Sequence, residues 1–390
     1  MSRQDFKGVD YYQTDDLLSD EERMVRDKVR QFVSDKVVTC IEKHNREWTF
    51  PMHLIAPLSE MGLLGASLTG YGCAGLNSVA YGLVLQELER GDSGLRSFCS
   101  VQSSLCMYPI WRYASEELKE QWLPPMARGQ KLGCFGLTEP DYGSNPSGMI
   151  TRAKLVGDTY VLNGAKMWIT NGGIADIAIV WAKTEDGIIH GFLVEKGTPG
   201  FTTRDQHGKF SLRASVTSEL IFQDCPIPRK NMLHVDGIKG PLSCLTQARY
   251  GIGWGAVGAS MACYDEALDY TKTRIQFDKP LASFQLVQAK LAWMLTEITK
   301  AQLLNLRLGR LKDEGKMRPQ QVSLAKRNNV EMALKIARTA RDMLGANGIT
   351  DEYQVGRHMC NLESVYTYEG THDIHTLILG HDVTGFQAFS

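Results

Sequence analysis

The sequence predicts a mostly helical α+β protein in which a helical block, a β block and a second helical block follow one another. Apolar residues recur at helical spacing toward the two ends of the chain, while the middle carries short apolar runs bounded by Gly, Asp or Pro. Strands do not alternate with helices, which argues against a doubly wound nucleotide-binding sheet. The blocks divide at about residues 1–131, 132–240 and 241–390.

In the first block, Ser19 and Glu22 have the spacing of a capping box, with the serine set to cap a helix and the glutamate to reach back. Val25, Val29, Phe32, Val33 and Val37 then mark one buried face. Further helices are expected over residues 79–89 and 116–123, the latter stopped by Pro124 and Pro125. In the middle block, residues 155–170 read as two strands joined by a hairpin turn at Asn163–Gly164. Runs at 177–182, 188–195 and 219–222 add strands of a small barrel or sandwich. In the last block, Leu291, Met294, Leu295, Ile298, Ala301, Leu304 and Leu308 trace a long amphipathic helix, and residues 320–344 predict another. With no internal repeat and no low-complexity linker, the three blocks are expected to pack as one unit.

Bulk properties narrow the function. The 390 residues carry a formal charge of −1, so neither nucleic acid nor an anionic membrane is an expected partner. No apolar run is long enough to cross a bilayer. The polar start lacks a hydrophobic export segment, so a bacterial cytoplasm is the expected location, or a mitochondrial matrix for a processed protein. The nine cysteines form no CxxC pair, and Cys134, Cys244 and Cys263 read as small core residues of a reducing compartment. His372 and His375 lie about one helical turn apart, but no third ligand at suitable spacing accompanies them; they read as structural or site-lining, and no metal is expected.

Neither GxGxxG after a strand nor GxxxxGK[ST] occurs, so a nucleotide held by those loops is not supported. Five other stretches stand out. Gly136-Leu137-Thr138-Glu139-Pro140-Asp141-Tyr142-Gly143-Ser144 reads by itself as a connector at the entry to the β block. Trp168-Ile169-Thr170-Asn171 ends a predicted strand and sets an indole beside a hydroxyl, as a flat heteroaromatic ring would suit, although core tryptophans are common. Arg274-Ile275-Gln276-Phe277, with Gln285 beyond it, is equally well an exposed helix end. Asp342 to Gly348 looks like a helix closed by a glycine cap, or a backbone that a phosphate can approach. Tyr366 to Asp373 places Glu369 between Tyr368 and Gly370 with few charges nearby, either a solvated turn or a functional acid.

Taken together, in this order, the phrases LTEPDYGS, WITN, RIQF with PLASFQ, DMLGANGI and YEGTHDIH resemble the acyl-CoA dehydrogenase family along essentially the whole chain. The stretches GYGCAGLNSVAYG, GKFSLRAS, CLTQARYGI and NLESVYTYEGTHDIH are similar to the glutaryl-CoA dehydrogenases within it. The resemblance implies an N-terminal α-helical domain, a central β-domain and a C-terminal four-helix domain. It also implies an FAD cofactor, an acyl-CoA substrate, an electron-transferring flavoprotein as acceptor, and a homotetramer in which a neighbour contributes to FAD binding. Glu369 then matches the catalytic base, Arg96 and Ser97 match the pair that binds a distal substrate carboxylate, and Glu89 matches the acidic neighbour of that pocket; an internal salt bridge of Arg96 with Glu89 or Asp92 is the alternative. Ser144, Leu242, Leu245, Arg249, Tyr368 and Gly370 match other acyl-CoA contacts. Phe135, Leu137, Thr138, Ser144, Trp168, Thr170, Thr371, Asp373 and Phe389 match flavin contacts, whereas Arg274, Phe277, Gln285, Asp342, Met343, Leu344, Gly345 and Ala346 match the FAD tail site. Tyr368 before the base resembles the decarboxylating members, so the implied reaction is glutaryl-CoA to crotonyl-CoA and CO2. Tyr366 is similar instead to short-chain acyl-CoA oxidases, and Leu95 stands where the family has tyrosine. A short-chain oxidase, or a dehydrogenase of a related (di)carboxylyl-CoA that does not decarboxylate, is the alternative.

Overall fold

The computed structural model describes residues 6–388. Helix α1 (Asp20–Phe32) starts at the expected capping box: Ser19 Oγ accepts the Glu22 N–H at 3.2 Å and the Glu22 carboxylate accepts the Ser19 N–H at 2.8 Å. Short helices α2 (Ile41–Glu47) and α3 (Ile55–Glu60) lead to α4 (Ser78–Gly91), every residue of which is buried. Then come α5 (Ser93–Ser100), α6 (Tyr108–Tyr113) and α7 (Glu116–Ala127). Pro124 and Pro125 do not stop α7, contrary to expectation. The carbonyls they leave without an intrahelical donor belong to Glu120 and Gln121, both exposed, so water can satisfy them.

The middle of the chain folds into one seven-stranded curled sheet of β1 (Gly133–Gly136), β2 (Arg152–Val156), β3 (Thr159–Thr170), β4 (Ile177–Lys183), β5 (Ile189–Glu195), β6 (Phe201–Asp205) and β7 (Thr217–Pro228). Pairs β2–β3, β3–β7, β4–β5 and β6–β7 are antiparallel, and β1 runs parallel to β4. The hairpin expected at Asn163–Gly164 lies instead between β2 and β3, where Gly157 supplies the positive φ. Asn163 and Gly164 form a bulge within β3, opposite β7. Asn163 Oδ1 accepts the Asp224 N–H at 2.9 Å, so tertiary pairing with β7 overrides the local turn signal.

Four long helices, α8 (Lys239–Thr273), α9 (Gln285–Asp313), α10 (Pro319–Met343) and α11 (Gln354–Thr367), build the C-terminal body, with α12 (His372–Thr384) against α10. Between α8 and α9 lies a small ribbon of β8 (Ile275–Gln276) and β9 (Lys279–Pro280). Helix α8 crosses α4 closely because its contact face carries glycine. A Cβ at Gly258 would lie 1.8 Å from the Gln86 carbonyl oxygen, and one at Gly255 would lie 1.9 Å from Glu89 Oε2. This approach joins the N-terminal and C-terminal helices into the wall behind the site. No helix among the described residues is long and apolar enough to cross a membrane.

Candidate active site

Glu369 sits in the tight turn between α11 and α12, which Thr371 opens by accepting the Ile374 N–H at 3.2 Å. Both Glu369 (φ 52°) and Gly370 (φ 94°) are in the left-handed region, a conformation rarely adopted by a residue with a side chain. Glu369 Oε2 is enclosed and has no hydrogen-bond partner. Burial raises the Glu369 pKa, while Arg96, Arg249 and Lys326 pull it the other way and Glu89 adds to the rise. The backbone around it is braced: Arg249 Nε donates to the Glu369 carbonyl at 2.7 Å, and Lys326 Nζ donates to the carbonyls of Tyr368 (3.1 Å) and Gly370 (2.8 Å).

Beside this turn lies a buried ion pair. Helix α4 carries Glu89, and α5, begun by the cap of Asp92 on Gly94, carries Arg96 and Ser97. Arg96 Nε donates to Glu89 Oε2 at 2.5 Å, with both side chains fully buried. Arg96 Nη2 donates to the Tyr368 hydroxyl, which also lies 3.2 Å from Ser97 Oγ. Asp92 does not compete for this arginine, because Arg357 (2.6 Å) and Asn361 (2.9 Å) hold it. The pairing is incomplete: Arg96 Nη1 and Glu89 Oε1 are buried with no partner. Burial alone would lower the Arg96 pKa, but Glu89, Tyr368 and Glu369 outweigh it and the guanidinium stays charged.

The rim of the sheet forms a second part. The strand β1 ends at Phe135 and Gly136, and the following Thr138 carbonyl accepts the Met167 N–H at 2.8 Å, which holds Leu137 and Thr138 beside β3. Buried Lys166 fixes the same loop, donating to Glu139 Oε1 at 2.8 Å and to the Leu137 carbonyl at 3.1 Å. Trp168 is 62% exposed at a positive φ of 64°, so its indole stands off the rim beside half-buried Thr170. Ser144 lies exposed in the loop. The segment between β6 and β7 links this rim to α11, with Ser211 Oγ 2.6 Å from Ser364 Oγ and the Leu212 N–H donating to Asn361 Oδ1 at 2.9 Å. Leu242 and Leu245 precede Arg249 at helical spacing on α8, placing them on the flank that reaches Glu369.

The structure thus gathers Glu369, Arg96, Ser97, Glu89, Tyr368, Gly370 and Arg249 into one cluster. The residues matched to the FAD tail form another group at the far ends of the C-terminal helices. Arg274, Gln285, Asp342, Gly345 and Ala346 are exposed there, and Phe277 stands 87% exposed at the tip of the β8–β9 ribbon. Met343 and Leu344 are buried and anchor the end of α10, which Gly345 (φ 60°) terminates as its sequence suggests. A Lys290–Asp342 ion pair at 2.7 Å and an Asn347–Tyr270 hydrogen bond at 3.0 Å tie the helix ends together. No hydrogen bond or ion pair among the described residues joins this group to the Glu369 cluster. Asp373 is exposed in the first turn of α12, and Phe389 lies outside the described residues.

Sequence reasoning missed Lys326 and the Lys166–Glu139 pair. Their signal was a lysine at an apolar-stripe position of α10 and another inside a strand. His375 is buried beside Gly370 with both ring nitrogens unpartnered, and His372 stacks on Tyr366 at 4.6 Å, both compatible with lining roles. A Cys40–His44–His53 group, with ligand atoms within 4.8 Å of one another, also escaped the sequence reading. Hydrogen bonds of the fold already engage two of its members, Cys40 to the Lys36 carbonyl and His44 to Thr49.

An acid with an unpartnered carboxylate oxygen, on a turn between two helices and beside a buried ion pair, together with a curled sheet rim that carries an exposed indole, defines the class. The chain belongs to the acyl-CoA dehydrogenase family: the N-terminal domain model matches residues 19–130, the middle domain 134–225 and the C-terminal domain 236–384. Within that family it is similar to a glutaryl-CoA dehydrogenase of Mycobacterium smegmatis, solved in complex with FADH2. The two are 51% identical with a TM-score of 0.97, over 98% of this chain and 99% of that one. A glutaryl-CoA dehydrogenase solved in complex with glutaryl-CoA is 34% identical (TM-score 0.91), over 94% of this chain and 96% of the other. The short-chain specific acyl-CoA dehydrogenase of Megasphaera elsdenii is 37% identical over 90% of this chain and 94% of its own length.

Proposed function

We propose that the protein catalyses FAD-dependent oxidative decarboxylation of glutaryl-CoA to crotonyl-CoA and CO2. The observation that carries this reading is the buried Arg96, whose Nη1 lacks a partner within the cluster that holds Glu369. A buried guanidinium nitrogen is costly unless something completes its hydrogen bonds, and a substrate carboxylate does so with charge assistance. A monocarboxylyl chain would leave it unsatisfied.

The rim fits an isoalloxazine: Trp168 presents a free indole face, with the hydroxyls of Thr138 and Thr170 and the backbone of Leu137 beside it. Phe135, Ser144 and Thr371 complete the proposed contacts. Arg274, Phe277, Gln285 and residues 342–346 would hold the adenosine end in an assembled homotetramer. The exposed Phe277, Leu286 and Ile349 in this region support burial by a neighbouring copy. When bound, FAD supplies a hydride acceptor for the substrate Cβ, and an electron-transferring flavoprotein is the proposed outlet for those electrons.

Glu369 removes the Cα proton of the thioester. Its desolvated carboxylate has a raised proton affinity, which improves the match to a weak carbon acid. Arg96 and Ser97 fix the distal carboxylate, so Cα lies before the base by the length of the chain. Once the Cα–Cβ double bond exists, the Cγ–CO2 bond breaks with its electrons delocalised toward the thioester carbonyl. Glu369, now protonated, returns a proton to the resulting carbanion. The test is anaerobic mixing with glutaryl-CoA followed by product analysis: stoichiometric CO2 and crotonyl-CoA are expected. Glutaconyl-CoA accumulating without CO2 would refute decarboxylation while leaving the dehydrogenase reading standing.

A further inference from the structure

We propose that Lys326 is a positioning residue for the proton transfer, holding the base and the N–H beside it in reacting geometry from behind the turn. The proposal rests on reading Glu369 as the base. Three successive carbonyls are held by two cations: Tyr368 and Gly370 by Lys326 from α10, and Glu369 by Arg249 from α8. In a trans peptide the C=O and N–H point in opposite directions. Fixing the Tyr368 carbonyl on Lys326 therefore turns the Glu369 N–H away from the lysine, toward the opposite side of the turn. That N–H makes no hydrogen bond among the described residues. A fixed, unpartnered donor next to the base is what the developing enolate oxygen of a thioester requires.

The turn needs such a brace. Glu369 and Gly370 both occupy left-handed backbone, and a residue with a side chain stays there only when its surroundings impose it. Gly370 itself is packed against His375 and Arg249, since a Cβ there would lie 2.9 Å from His375 Nε2 and 3.2 Å from Arg249 Nη2, so no side chain fits at that position.

A lysine bonded to carbonyls just past a helix end is often only a cap. Lys326 differs in its electrostatic setting. It is 1% exposed and has no carboxylate at ion-pair distance among the described residues. The groups around it are Glu369 on the turn, Arg249 on α8, Arg96 on α5 and His372 and His375 on α12. Burial lowers the Lys326 pKa to about 7; Glu369 opposes this, and Arg249 and Arg96 add to it. Burial, then Lys326 and Arg249, press His375 down to about 3, so that imidazole stays neutral. Glu89 and Tyr368 belong to the same field through Arg96. The carboxylate and the lysine thus sustain each other's charge, and removing the lysine raises the proton affinity of the base.

The test uses FAD-loaded Lys326→Met and Lys326→Arg, with flavin content and thermal unfolding as controls. One readout is deuterium incorporation from D2O at Cα of an acyl-CoA, with the flavin chemically reduced beforehand so that only proton transfer is seen. The other is the pH profile of kcat. Lys326→Met should lose about 100-fold or more in exchange and in kcat, as for loss of an oriented donor. KM should stay within about threefold. The acid limb of the profile should move to higher pH, and Lys326→Arg should recover at least about tenfold of the loss. Wild-type exchange in Lys326→Met would overturn the proposal. So would a rate loss with an unmoved acid limb and no recovery by arginine, which marks a merely structural lysine. Should Lys326→Met fail to retain flavin, Lys326→Gln decides on the same two readouts. A wild-type enzyme that neither exchanges nor oxidises any acyl-CoA would instead refute the reading of Glu369 as the base.

Discussion

Replacing Arg96 tests substrate choice most directly, provided its partner is replaced too. Arg96→Met alone would leave Glu89 fully buried opposite a methyl group, which costs about 3–5 kcal/mol of stability and confuses folding with binding. The double variant Arg96→Met/Glu89→Leu removes both charges, and replacing a buried pair together by apolar residues of similar volume is close to neutral. What is lost toward glutaryl-CoA is a charge-assisted hydrogen bond from the unpartnered Nη1, about 1.5–3 kcal/mol. At about 1.4 kcal/mol per factor of ten, this predicts a roughly 10- to 150-fold fall in kcat/KM for glutaryl-CoA. Arg96 also lowers the proton affinity of Glu369, but that loss is common to all acyl-CoA substrates. The ratio of kcat/KM for glutaryl-CoA to that for butyryl-CoA therefore reports what the Arg96–Glu89 pair contributes, net, to holding the distal carboxylate. The assay is anaerobic flavin bleaching with each substrate, beside thermal unfolding of the double variant. An unchanged ratio, with the protein folded and flavin bound, would refute the assignment of Arg96.

Three further outcomes are expected. Because the Glu369 pKa is raised and only the ionised form accepts a proton, kcat/KM should fall as pH drops through a value above the ordinary carboxylate range; a limb near that of a free glutamate would contradict the burial argument. Glu369→Gln should retain flavin yet lose about 10²- to 10⁴-fold in turnover, measured by the same bleaching assay. Gly258→Ala places a Cβ 1.8 Å from the Gln86 carbonyl, backbone that cannot rotate away. It should destabilise the α4–α8 contact by about 1–3 kcal/mol in denaturant unfolding.

The helices could be read from the sequence wherever one face is polar. The capping box of α1 and the stripes of α9 and α10 appear where periodicity places them, because burial on one side only leaves an unambiguous pattern. Helix α4, expected over 79–89, runs Ser78–Gly91; α8 was harder, because it is buried almost throughout its middle and that stretch lacks a polar face to set the phase. The strand β6 was missed because its residues are largely exposed, and Asn163–Gly164 misled because local turn chemistry cannot know of the β7 partner. For the site, the resemblance singled out Glu369 and Arg96, but their physical condition was not legible. An ion pair of Arg96 with Glu89 was one reading the sequence allowed, but nothing in the spacing says that it would leave one nitrogen and one oxygen over. Lys326 was readable in principle. It falls on the stripe of Val322, Ala325, Asn329, Val330 and Ala333, where a charge is out of place unless something buried needs it.

That leftover nitrogen and oxygen bear on the proposed sequence of steps. Glu89 Oε1 is buried without a donor, so a substrate carboxylate that completes Arg96 also comes close to a second carboxylate. Two like charges in one low-dielectric site raise each other's energy, and the same field already adds to the raised pKa of Glu369. Before oxidation this repulsion has no outlet, because the Cγ–CO2 bond has nowhere to send its electrons. Once the Cα–Cβ double bond connects that bond to the thioester, release of neutral CO2 moves the negative charge out of the Arg96–Glu89 pocket onto the conjugated thioester, where Glu369 returns its proton, and leaves Arg96 paired with Glu89 alone. Binding and decarboxylation would therefore draw on one ion pair: Arg96 favours entry of the distal carboxylate, and Glu89 favours its loss after the electrons have been taken. A pocket with the arginine but no buried acid would bind the same substrate and lack this second drive.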